Sequence, residues 1–156
     1  MIEQHDFDRF VRVEGEQVRR ALVARYGVEI GSEVAADAMA AAWERWAEFR
    51  VMDNPAGYLF RIGQSRARPH VRWATRGRLF PGYDLRPISE DSADLVDLLR
   101  SLRRLTPDQR TALLLVKSYG YSHREVAELL DINEGAVNNL VHRGLARLRS
   151  LMEVSK

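Results

Sequence analysis

The chain contains no cysteine, which excludes disulfide scaffolds, thiolate metal sites and cysteine nucleophiles together. Its four histidines, His5, His70, His123 and His142, are scattered without ligand spacing, so no metal centre is expected. No apolar run approaches the ~20 residues of a membrane span. The first residues, MIEQHDFDRF, lack the apolar segment of a secretory signal, and a cytoplasmic location is expected. No Ser/His/Asp arrangement, phosphate loop or paired acids argue for catalysis, so neither an enzyme activity nor a cofactor is expected. Strand alternation and internal repeats are missing throughout. Negative charge is missing from one long stretch: no Asp or Glu lies between Asn54 and Tyr83, although the whole chain is nearly balanced at a net +2.

What is present is a succession of helix signals. With 156 residues, 46% hydrophobic and 29% charged, the chain reads as a globular protein of one domain or two small ones. Phe7, Phe10, Val11, Val18, Leu22 and Val23 recur at helical steps between Asp6 and Tyr26, with Gly27 placed to end that helix. A second, alanine-rich helix is expected from a Ser32 cap to Arg50. It carries Trp43 and Trp46 for a small core and Glu33, Asp37, Glu44 and Glu48 as an acidic face. Asp53-Asn54-Pro55 opens a third helix, with Pro55 at the favoured first position. Pro69 either ends this helix near Arg68 or kinks it there. Gly77, Pro81, Gly82 and Pro87 then mark a linker with little periodicity. Leu95, Leu98, Leu99 and Leu102 begin the second half as an amphipathic helix. Thr106-Pro107-Asp108-Gln109 is a strong start for the next, which Gly120 stops.

The most informative stretch is Ser122 to Arg149, SHREVAELLDINEGAVNNLVHRGLARLR. Ser122 and Glu125 are spaced as a capping box, and Val126, Leu129 and Leu130 form an apolar stripe. Asp131-Ile132-Asn133 breaks the pattern. Asp tolerates a left-handed backbone, Ile132 is suited to plug the angle between two helices, and Asn133 caps the second. Val137, Val141, Leu145 and Leu148 line one face of that second helix, leaving Asn138, Asn139, His142, Arg143, Arg147 and Arg149 wholly or partly off it. A helix, a tight turn and a polar, basic second helix is how many proteins read a DNA major groove; a hairpin in an ordinary bundle has the same pattern. In the acid-free stretch, Arg61, Arg66, Arg68, Arg72, Arg76 and Arg78 are interleaved with Phe60, Trp73 and Phe80. That suits single-stranded nucleic acid, with cations along the phosphates and aromatic faces against unstacked bases. Core aromatics beneath solvated arginines fit equally well.

The segment LTPDQRTALLLVKSYGYSHREVAELLDINEGAVNNLVHRGLARLR resembles, nearly throughout, the C-terminal domain of bacterial RNA polymerase sigma factors of the small extracytoplasmic-function group. The resemblance is carried by the leading Leu-x-Pro-x-x-Arg, the Gly before the first helix of the motif, the EVAELL core and the EGAV…HRGLARLR tail. GSEVAADAMAAAWERWAEFR and NPAGYLFRIGQSRAR are similar, more loosely, to that family's acidic polymerase-binding helix and promoter-melting helix. The resemblance implies an all-α fold of two small helical domains: a three-helix region 2-like domain over residues 1–76, a linker over 77–91, and a four-helix, helix-turn-helix region 4-like domain over 92–156. It implies a protein that binds core RNA polymerase and directs it to promoter DNA. Glu33 and Asp37 would dock on the clamp helices of the largest polymerase subunit. Arg61, Gln64, Ser65, Arg66 and Arg68 would read and help melt the minus-ten element. Asn138, Asn139, Leu140 and Arg143 would read the minus-thirty-five element, with His142, Arg147 and Arg149 supporting phosphate contacts. An anti-sigma factor or other protein regulator is a further implied partner, for which the apolar linker from Leu79 to Ile88 is suited.

The chain departs from the family pattern at three places. The usual Asp-Leu-Val-Gln-Glu is Glu33-Val34-Ala35-Ala36-Asp37, a common Asn is Ser65, and the recognition helix has Asn138 and Leu140 where Lys and Arg are usual. Two other readings therefore stay open: a sigma-like regulator that depends on an accessory partner, and a repressor that uses only the helix-turn-helix.

Overall fold

The computed structural model of the chain describes residues 2–77 and 90–154. The first apolar pattern folds as α1 (Ile2–Phe10) and α2 (Glu16–Tyr26), joined through a π-helical turn at Val11–Gly15. Such a turn inserts one extra residue into the helical ladder. Its effect is on phase: Phe10 and Val18 stand eight positions apart, and the insertion narrows the angle between them around the helix from about 80° to about 20°; both are buried, with Leu22.

Gly27 ends α2 at φ 91°, and α3 (Val28–Glu44) begins at the next residue. The expected Ser32 cap is therefore corrected: Ser32 lies inside α3. The reversal is this tight because Gly31 lets the two helices cross closely; a Cβ there would lie 2.5 Å from the Cα of Val23. At Arg45 the backbone leaves the helical region, and a single further turn, α4 (Trp46–Phe49), follows. The helix expected to reach Arg50 is thus split. Trp46 and Phe49 turn into the core, with Trp46 packed 5.2 Å from both Phe7 and Phe10 between ring centroids. Trp43 packs on Phe7 but stays 47% exposed, so only one of the paired tryptophans is a core residue.

Helix α5 (Pro55–Gly77) continues through Pro69. The missing Pro69 N–H leaves the Ser65 carbonyl without its helical donor. Both residues are exposed, so water can serve that oxygen. Asn54 caps the helix, its Oδ1 accepting from Gly57 N–H at 3.1 Å.

The second half contains α6 (Glu90–Arg103), α7 (Pro107–Leu113) with a π-helical turn at Leu114–Ser118, α8 (His123–Leu130) and α9 (Glu134–Val154). Both expected capping boxes form. Gln109 N–H donates to Thr106 Oγ1 at 3.1 Å and Thr106 N–H to Gln109 Oε1 at 3.3 Å; the Ser122–Glu125 pair makes the same two bonds at 3.0 Å each. Leu79 to Ile88 of the expected linker lie outside the described residues.

The fold is all-α, two small helical domains with no strand among the described residues. Their buried side chains are nonetheless contiguous: Leu22, Phe49, Leu59 and Phe60 from the first half join Leu105, Leu115, Val126 and Val137 from the second in one cluster. Helix α2 packs on α3 and α5 within its own domain and on α7 of the other, while α5 meets α8.

Candidate nucleic-acid interface

The helix-turn-helix is assembled by local bonds. Asp131 closes α8 at φ 56°, ψ 48°, the one non-glycine residue at positive φ among the described residues. Ile132 N–H returns to the Ala127 carbonyl at 3.0 Å, and Asn133 Oδ1 accepts from Ala136 N–H at 2.7 Å. Val126 and Leu129 of α8 are buried with Val137 and Val141 of α9, which fixes the angle between the two helices. Ile132 does not plug that angle as its sequence context suggests. It is 36% exposed and turned instead toward the first domain.

On α9, Asn138, Asn139, His142, Arg143, Arg147 and Arg149 are exposed, while Leu140 is half-buried at the edge of the core. The polar residues therefore form an outward face, as the periodicity requires. That face has two environments. Asn139, Leu140 and Arg143 border a cleft of about 420 Å³ whose other wall includes Phe60 and Gln64 of α5; Asn138 and His142 are outside it.

On α5, Arg61, Ser65, Arg66 and Arg68 are exposed and Gln64 is half-buried at the cleft. Arg61 is not an isolated cation: its Nη1 stands 3.5 Å from Oδ2 of Asp131 in the turn of the helix-turn-helix. Phe60 is 2% exposed and packs in the core, so it offers no face to an unstacked base. The side chains of Arg72, Trp73, Arg76, Arg78 and Phe80 lie outside the described residues. Glu33 and Asp37 are exposed one helical turn apart on α3, above the buried Val34, Ala35 and Ala38.

Several polar residues that tie the halves together are visible only in three dimensions. Arg110, 8% exposed, donates from Nε to the Ala24 carbonyl at 2.8 Å and from Nη2 to the Arg25 carbonyl at 2.6 Å. Burial first, then the neighbouring charges of Arg25 and Arg103, lowers its pKa from the ordinary value. Asn54 Nδ2 donates to the Glu128 carbonyl at 2.7 Å. Arg25 pairs with Asp108, and Arg20 lies 4.7 Å from the Tyr119 ring centroid while bonding the Tyr121 hydroxyl at 2.8 Å. The only sequence signal for any of these is the Leu-x-Pro-x-x-Arg motif that contains Arg110. Asn54 is legible only as a helix opener.

No helix among the described residues is long and apolar enough to cross a membrane. Residues 95–148 match the family model described as Sigma-70, region 4. Over 154 residues the chain is 28% identical to the ECF RNA polymerase sigma factor SigM of Mycobacterium tuberculosis, a match covering 96% of this chain and 79% of that protein. Over 55 residues it is 42% identical to the RNA polymerase sigma factor CarQ of Myxococcus xanthus, covering 35% of this chain and 32% of CarQ. Its fold is similar to that of the sigma factor RpoE from Bartonella quintana, co-crystallised with the anti-sigma factor NepR. The TM-score is 0.68 at 23% identity, over 97% of this chain and 99% of that one.

Proposed function

We infer that this chain belongs to the extracytoplasmic-function sigma factors and works as one: it binds core RNA polymerase and directs it to promoter DNA. The observation that carries this reading is the capped helix-turn-helix of α8 and α9 in a segment matching sigma-70 region 4, within a chain similar to SigM over nearly its whole length. Family members initiate transcription without chemistry of their own, and we assign no catalytic residue here. Its place of action is the cytoplasm, with polymerase and promoter DNA as partners and a protein of the anti-sigma kind as its regulator.

We assign residues 1–76 to polymerase docking and the minus-ten element, 77–91 to a linker, and 92–156 to the minus-thirty-five element. Exposed Asn138 and Asn139 have amides able to bond an adenine edge in two places, and Arg143 a fork that matches guanine or phosphate. Leu140 offers an apolar contact to a thymine methyl, and His142 and Arg147 flank the phosphates. Arg61, Arg66 and Arg68 are exposed cations on α5 available to a separated strand, Arg61 and Arg68 on one side of the helix and Arg66 on another, with Gln64 and Ser65 as bonding groups between them in sequence. Glu33 and Asp37 present two carboxylates on a rigid helix, a surface suited to a basic partner.

Binding of core polymerase to wild type and to Glu33→Lys/Asp37→Lys tests the docking face. The double reversal is expected to weaken binding by at least about tenfold, because like charges then face each other. Run-off transcription from a genomic fragment library tests the function itself; no specific transcript with wild type overturns it. One observation favours a second reading. Asn138 and Leu140 bring no cation to the recognition helix and Leu140 is half-buried, which suits a sigma-like regulator that leaves promoter reading to an accessory partner. Autonomous initiation at a defined promoter excludes that alternative.

A further inference from the structure

We propose that Pro69 gives α5 a backbone acceptor for reading bases: the Ser65 carbonyl, left without its helical donor, accepts from the amino group of an unpaired adenine or cytosine. This rests on the reading of α5 as the helix that meets a separated strand.

The place of Pro69 is what needs explaining. Proline inside a helix removes an N–H and crowds the carbonyl four positions back, which weakens the helix. Pro69 does not end α5, which runs on to Gly77. Nor does it fill the core, since it is exposed, as Ser65 is. Its lasting chemical effect is one main-chain oxygen with no helical partner, on a surface that another molecule can reach.

The surroundings lack what that oxygen supplies. No Asp or Glu lies between Asn54 and Tyr83. Arg61, Arg66 and Arg68 are exposed, and guanidinium groups donate hydrogen bonds but cannot accept them. Among the exposed side chains from Arg61 to Pro69, the Ser65 hydroxyl is the sole acceptor. Such a surface holds phosphates well but distinguishes bases poorly, because phosphates are the same at every position. The amino groups of adenine and cytosine are donors and need an acceptor. At about 100° per residue, Ser65 sits about 40° around the helix from Arg61 and about 60° from Arg68, with Arg66 about 100° away on its other side. The freed carbonyl is thus flanked by cations that can hold the strand on either side of it. A carboxylate there would also accept, but it would repel the phosphates. A carbonyl has no net charge and does not.

Fluorescence anisotropy of the intact chain with single strands of about 12 nucleotides tests this. Two matched pairs serve as probes: adenine against purine, which is adenine without its amino group, and cytosine against 2-pyrimidinone, which is cytosine without its own. Each pair carries the same phosphates, so the electrostatic contribution cancels. Wild type is expected to bind the amino-bearing strand of at least one pair about three- to tenfold more tightly. Pro69→Ala restores the N–H, changes no charge and installs a better helix former, so it should fold at least as stably. Pro69→Leu restores the same N–H while keeping a bulky apolar group. Both should bring the ratio to within about twofold of one and leave the salt dependence of binding unchanged. Ser65→Ala removes the hydroxyl and keeps the carbonyl; it should weaken both strands alike and preserve the ratio. Comparing variants on the same strands also cancels any difference in stacking between the bases.

A ratio that survives both Pro69 substitutions overturns the proposal. So does a ratio lost in Ser65→Ala, which assigns the contact to the hydroxyl. Pro69 variants that weaken both strands of a pair equally overturn it as well, since that is the mark of an altered helix shape. The two levels separate cleanly. Wild type that binds all four strands without preference sinks the carbonyl alone; wild type that binds none of them sinks the reading of α5 as a strand-binding helix.

Discussion

Glu14 sits in the π-helical turn with its Oε2 buried and without a hydrogen-bond partner, and burial raises its pKa above the ordinary 4.5. The folded chain therefore holds this proton more tightly than the unfolded chain does. Its contribution to stability is most favourable below pH 4.5 and is lost as pH rises through the raised value. Glu14→Gln is expected to be more stable than wild type at pH 7 and equal to it below pH 4.5, compared by urea midpoints at each pH. Asn139 belongs to the same scale but to function. Asn139→Ala should remove one base-reading amide, costing about 1–3 kcal/mol of discrimination, roughly 5- to 150-fold, at one promoter position. Competition between duplexes that differ at single base pairs measures this; an unchanged preference removes Asn139 from the reading set. Residues of this kind were legible in part. Asn139 and Arg143 announce themselves as polar positions off an apolar stripe, whereas the burial of Phe60 rather than its exposure depended on what α5 meets.

At the scale of elements, caps were the most readable feature. Thr106 with Gln109, Ser122 with Glu125, and Asn133 all act within three residues, so their bonds follow from local sequence. Where packing competes with a cap, packing decides. Ser32 is a good cap residue, yet α3 starts at Val28 because Gly31 allows close contact with α2. That ordering predicts the cost of filling the contact. Gly31→Ala would drive a methyl into the Val23 backbone, and backbone cannot rotate away as a side chain can. A loss of about 1–3 kcal/mol in urea unfolding is expected; a neutral effect would mean that α2 and α3 do not cross as described. The π-helical turn has the same character. Phe10 and Val18 would share a broad face of an uninterrupted helix, about 80° apart; the inserted residue aligns them to about 20°, and no single-residue signal marks the insertion.

For the whole molecule, the charge census pointed to nucleic acid through its distribution rather than its total: an acid-free α5 and a polar, arginine-bearing α9 within a chain of net +2. The relation of those two helices is a different matter. Asn54 and Glu128 lie 74 positions apart and Arg110 and Ala24 lie 86 apart, and each joint pairs a side chain with a backbone carbonyl. Every residue but proline offers the same main-chain groups, so a carbonyl partner leaves no mark in the sequence. The sequence by itself determined the helices, their local caps and the helix-turn-helix, because those depend on hydrogen bonds and periodicities spanning a few residues. Only the tertiary structure decided that Arg110 caps α2, that Arg61 is paired with Asp131 and that α5 faces α9 across a cleft. Those are contacts between surfaces, and surfaces exist only after the chain has folded.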